Sequence, residues 1–129
     1  MAASVLSAPM ASIGVPKEIK LDEQRVALTP DAVRELVSQG LEVRIETGAG
    51  AGAGIADDAF AAAGAQMVSR DEAWGAHLVV KVKEPQTEEF AYLRKDMVLF
   101  TYLHLAAYPS VGEALLEAGT AAIAYETVQ

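Results

Sequence analysis

The chain has 129 residues, 52% hydrophobic and 22% charged, which suits one globular domain and excludes disordered, collagenous and fibrous classes. Eighteen acidic against ten basic residues give a net charge of −8, so nucleic acid is not an expected partner: the field repels phosphate and no basic patch interrupts it. Cysteine is absent, which removes disulfides and thiolate chemistry and points to a cytoplasmic setting. No apolar run approaches the roughly 20 residues of a membrane span, and the start lacks the basic and apolar regions of a secretory signal, so no membrane association is expected.

In chain order, residues 1–11 are small and unpatterned and read as a disordered or extraneous tail, leaving 12–129 as the domain. Ser12–Val15 is a short apolar run closed by Pro16 and predicts a buried strand. Thr29 before Pro30 is a helix start, with Ala32, Val33, Leu36 and Val37 at helical spacing and Gly40 as the stop. Residues 41–45 alternate as a strand, 57–63 predict a short helix ending at Gly64, and 78–82 predict a strand before Glu84 and Pro85. A strand over 97–102, a helix from Pro109 to Ala118 stopped by Gly119, and a strand over 121–125 complete the pattern. Strands alternating with helices predict an α/β domain of three layers, a mostly parallel sheet with helices on both faces, flavodoxin-like or Rossmann-like.

Ligands of such sheets bind outside the carboxyl ends of the strands, which gives priority to residues 16–25, 47–54, 83–85 and 103–105. In the second of these, Gly48, Gly50 and Ala53 formally satisfy G-x-G-x-x-A. The following helix is short and begins with Asp57 and Asp58, which oppose a phosphate, so the stretch is read as a connecting loop and no cofactor-binding residue is assigned. His77 reads as a surface imidazole, whereas His104 ends an apolar strand run and emerges at the carboxyl edge, where an imidazole is suited to proton transfer. Lys83 follows the strand LVVKV, with Lys81 two residues earlier on the same face; pattern alone favours a solvated edge for both over an ammonium aimed at an anionic or carbonyl-bearing ligand. Arg25 follows the acidic loop LDEQ, so its guanidinium either takes a ligand carboxylate bidentately or pairs with Asp22 or Glu23. Arg25, Lys83 and His104 together suit a small carboxylate bearing a carbonyl.

The segment IGVPKEIKLDEQRVALTP, followed by ETGAGAG, AGAQ, KVKEP, VLFTYLHLAA and IAYETV, resembles the N-terminal domain shared by alanine dehydrogenases and the alpha subunits of nicotinamide nucleotide transhydrogenases, over roughly residues 12–129. Lysine in KVKEP and histidine in YLHLAA place the resemblance on the alanine dehydrogenase branch. It implies a substrate-binding domain for reversible NAD-dependent oxidative deamination of L-alanine to pyruvate and ammonium. In that pattern Arg25 binds the substrate carboxylate, Lys83 contacts its carbonyl or amine, and His104 is the catalytic histidine. Asp96 departs from the family, which commonly has glycine before VLFTY. The resemblance further implies an NAD-binding domain beyond the YETV segment, a homo-oligomer that is commonly a hexamer, and no metal. An isolated domain is then expected to lack turnover and to leave apolar surface uncovered. The alternatives are a transhydrogenase alpha-subunit relative and a non-catalytic small-molecule binding or interaction module.

Overall fold

The computed structural model describes residues 11–101 and 108–124. Among the described residues six strands form one sheet: β1 (Ser12–Val15), β2 (Glu42–Glu46), β3 (Gln66–Val68), β4 (Leu78–Val80), β5 (Val98–Thr101) and β6 (Ala121–Ala124). Their order is β3-β2-β1-β4-β5-β6 and every neighbouring pair is parallel. The connecting helices are α1 (Pro30–Ser38), α2 (Asp57–Ala62), α3 (Arg70–Trp74) and α4 (Pro109–Ala118), with 3₁₀ segments at Ala51–Ala53 and Thr87–Tyr92.

Side-chain alternation divides the core into two clusters, one on each face of the sheet. Ile13, Val15, Val43 and Ile45 pack against Val33 of α1 and Phe60 of α2. Val79 and Leu99 pack on the opposite face against Trp74 of α3 and Val111 and Leu115 of α4. The three-layer reading holds, and α3 can lie close to β1 because Gly14 has no side chain. A Cβ there would sit 1.8 Å from the Ala73 carbonyl oxygen.

Local signals explain the element ends. Thr29 caps α1 by accepting the Ala32 N–H at 3.2 Å, and Gly40 follows at φ +89°. Gly119 ends α4 in the left-handed region at φ +70°. Four elements go beyond the sequence reading: β3, α3 and the 3₁₀ segments Ala51–Ala53 and Thr87–Tyr92. A signal for α3 was present, since Ser69 and Glu72 form a reciprocal capping box. The strand expected over 78–82 ends at Val80, because the chain there turns away to meet the loop after β1.

The covering is uneven. Among the described elements, α1 and α2 serve the β1–β3 half of their face, and an open apolar recess of about 290 Å³ remains beside α1. Ile13, Leu28, Leu36, Leu78, Val80 and Phe100 line it.

Candidate functional site

From β1 the chain steps outward in sequence through β2 to β3, then returns to β4 and steps the other way through β5 to β6. The strand order therefore reverses between β1 and β4, and the loops leaving their carboxyl ends flank the crevice where parallel α/β sheets place ligands. Residues 16–28 come from β1 and residues 81–86 from β4.

The two loops are tied together by charge. Glu18 is buried, and one of its carboxylate oxygens accepts the Lys81 ammonium at 2.8 Å and the Lys83 N–H at 3.2 Å. Its other oxygen accepts the Val82 N–H at 2.8 Å. Thr101 of β5 donates its hydroxyl to the Lys83 carbonyl at 2.7 Å, so the Lys83 backbone is held on both sides. A second tie crosses the crevice from Lys20 to Glu84, at 2.7 Å. The hydrogen bond to Glu84 raises the Lys20 pKa above its ordinary value, and the Lys20 ammonium lies 4.7 Å from the centre of the Tyr108 ring. Burial alone would raise the Glu84 carboxyl, but hydrogen bonds from Lys20 and Gln86 outweigh it and leave the group lowered.

Lys81 corrects the sequence reading. It was expected at a solvated edge, yet it is fully buried, 2.8 Å from Glu18 and 3.6 Å from Glu89 of the 3₁₀ segment. A buried ammonium needs such partners to offset its lost hydration. Lys83, half-buried, does not share that environment. Glu89 is itself fully buried, and desolvation raises its carboxyl above the ordinary value although Lys81 opposes the shift. Its position three residues after Gln86 carried a capping signal, and its side chain does accept the Gln86 N–H at 2.9 Å. Burial of Glu18 and Glu89 had no signature in the local pattern.

Arg25 pairs with Glu23, one of the two partners weighed for it. The guanidinium donates from Nε and Nη2 to the two oxygens, each at 2.9 Å, and the Arg25 N–H reaches the same carboxylate at 2.8 Å. These bonds, led by the guanidinium, hold the Glu23 pKa down to about 2, and the Lys83 ammonium contributes in the same direction. One carboxylate thus feels both Arg25 and Lys83. The loop turns sharply to achieve this: Asp22 sits at φ +66°, a conformation Asp tolerates better than most residues. His77 is exposed at the opposite end of the sheet, where its Nδ1 lies 2.9 Å from the Ser12 hydroxyl. His104, the third predicted site residue, lies outside the described residues.

The glycine stretch after β2 does not fit a dinucleotide's pyrophosphate. It folds as turns and one 3₁₀ segment and opens onto no helix until Asp57, whose carboxylate accepts the Gly48 N–H at 2.9 Å. Gly50 and Gly52 serve close packing, and Gly48 and Gly54 serve turns at positive φ. A Cβ at Gly52 would lie 2.3 Å from the Gln24 side-chain oxygen, so this loop backs directly onto the one carrying Arg25.

The strand order and the charged crevice define a doubly wound α/β domain of Rossmann-like topology. A family model described as the N-terminal domain of alanine dehydrogenase and PNT matches residues 14–129, and the chain belongs to that family. It is similar to the alanine dehydrogenase of Bacillus subtilis (strain 168), 56% identical over 117 residues that cover 90% of this chain and 31% of that protein. It is also similar to that of Mycolicibacterium smegmatis, 53% identical over 119 residues that cover 91% and 32%. Among solved structures, an L-alanine dehydrogenase superposes with TM-score 0.89 at 55% identity, covering 92% of this chain and 33% of that one. A transhydrogenase from Sinorhizobium meliloti gives 0.84 at 30% identity, covering 89% and 35%. The chain therefore spans about a third of the length of the relatives it matches.

Proposed function

We propose that this domain is the substrate-binding part of an NAD-dependent L-alanine dehydrogenase, catalysing the reversible oxidative deamination of L-alanine to pyruvate and ammonium. The observation that carries the reading is the Glu23 carboxylate, which takes the bidentate edge of Arg25 within the field of Lys83 at the switch-point crevice. A substrate carboxylate presents the same two-oxygen edge and, in this reading, takes the fork of Arg25 by displacing Glu23 from it. Arg25 orients that carboxylate, and Lys83 stabilises the negative charge that develops on the carbinolamine hydroxyl oxygen as it becomes the carbonyl oxygen of pyruvate. His104 moves the proton between water and the carbinolamine. In this reading NAD is held chiefly by a separate domain of the whole enzyme. The proposed setting is a cytoplasmic homo-oligomer, a hexamer for the whole enzyme.

The test is NADH formation from NAD and L-alanine by the full-length polypeptide, with Arg25→Ala and Lys83→Ala alongside. Alanine-dependent turnover that both variants lose supports the reading. Hydride exchange between nucleotides without alanine would favour the transhydrogenase alternative, for which the Sinorhizobium neighbour is the supporting observation. Pyruvate binding with no turnover of either kind would favour a non-catalytic module.

A further inference from the structure

We infer that Glu18 is a positioning residue, whose buried carboxylate fixes the backbone that presents Lys83 to the substrate; this rests on the reading of Lys83 as a substrate-contacting lysine. Lys83 follows β4 by three residues, where no ladder hydrogen bond fixes its direction. Its placement comes from two neighbouring strands. Glu18, from the β1 loop, takes the N–H groups of both Val82 and Lys83. Thr101, from β5, holds the Lys83 carbonyl.

A carboxylate is suited to this task because it has two oxygens, both acceptors. One oxygen serves Val82 while the other serves Lys83 and the Lys81 ammonium together. Lys81 balances the charge, which lets an ionised acid remain at 1% side-chain exposure. In Glu18→Gln one oxygen becomes an NH2 donor and faces either an N–H or the ammonium, so at least one bond becomes a repulsion. The 82–83 backbone would then lose its fixed direction. Displacements of about 1 Å at such sites can cost about 10²-fold in rate.

The experiment uses the full-length polypeptide and measures KM for pyruvate, kcat, and the Kd for NADH. In Glu18→Gln, KM for pyruvate should rise about ten-fold or more and kcat/KM should fall about 10²-fold, with NADH Kd within about two-fold. A merely structural loss would instead lower kcat through a smaller active fraction and leave KM unchanged. If the single variant fails to fold, Glu18→Gln/Lys81→Met/Glu89→Gln removes the three buried charges together and should show the same rise in KM. A folded variant with wild-type KM would overturn the inference while leaving alanine turnover by the wild type, and hence the parent reading, intact. Absence of alanine turnover in the wild type would instead overturn the parent reading. Amide hydrogen exchange on the wild type tests the tie without any substitution: Val82 and Lys83 should be strongly protected, and exchange at unprotected rates would overturn it.

Discussion

Two loops leave the carboxyl edge of the same sheet and make opposite use of similar opportunity. The loop after β2 carries the pattern that motif matching rewards, glycines at dinucleotide spacing, yet its Gly48 N–H is taken by Asp57 and its Gly52 serves to seat the neighbouring loop. The loops after β1 and β4 carry no glycine pattern but hold every described charged candidate, because the sheet reverses direction between them. A phosphate cradle needs N–H groups aimed outward with nothing already bound, whereas an acid site needs cations whose geometry is held from behind. The Gly48 N–H is already bound to Asp57, and the cations at the crevice are held by Glu18 and Glu23.

The largest effect expected from this contrast is on activity. In a full-length polypeptide, His104→Ala should lose about 10² to 10⁴ in turnover while folding is kept, and His77→Ala should change little. Steady-state NADH kinetics with circular dichroism on both variants checks this; near-wild-type rates in the His104 variant would overturn its catalytic assignment. Next comes the charged network behind Lys83. Lys81→Met leaves Glu18 and Glu89 buried without their cation and should cost about 3 to 5 kcal/mol by urea denaturation. A variant as stable as the wild type would mean that the network is not held by this charge.

Within the glycine loop, two substitutions separate close approach from backbone conformation. Gly52→Ala would drive a Cβ into Gln24 and should destabilise by about 1 to 3 kcal/mol, with a weaker affinity for pyruvate because the Arg25 loop is displaced. Gly48→Ala meets no atom within 4 Å but must hold φ +86°, so about 1 kcal/mol and no change in pyruvate KM are expected. Equal effects on KM would erase the distinction.

The smallest effect expected is on acid stability. Glu23 has its folded pKa lowered from 4.5 to about 2, so its contribution is present above the unfolded value and is lost as pH falls from about 4.5 through 2. Glu89, raised by burial, has the opposite sign: its contribution is largest at low pH and declines as pH rises through its unfolded value. Comparing acid unfolding of Glu23→Gln and Glu89→Gln with the wild type should show shifts of opposite sign, and shifts of one sign would refute the assignment.

Much of the architecture was legible before any coordinates. Pro30 with Thr29, Gly40 and Gly119 mark helix ends by stereochemistry that acts within a few residues, and the strands at 12–15 and 98–101 declare themselves as apolar runs. Arg25 and Lys83 were visible as strand-end cations. The short β3 and α3 were not, since three and five residues carry too little periodicity for their apolar positions to stand out. Lys81 and Lys83 illustrate the limit within two residues: the local pattern treats them alike, yet one ammonium is sealed in the core with two acids and the other stands at the crevice.

The sequence by itself determined the α/β alternation, the family and the kind of side chain available at the strand ends, because those depend on local stereochemistry and residue identity. Only the tertiary structure decided that the crevice falls between β1 and β4, that Glu18 reaches 65 residues along the chain to hold Lys83, and that Glu23 occupies the fork of Arg25. Those contacts arise from strand order and burial, and a buried charge finds its partner by proximity in space, which no spacing along the chain encodes.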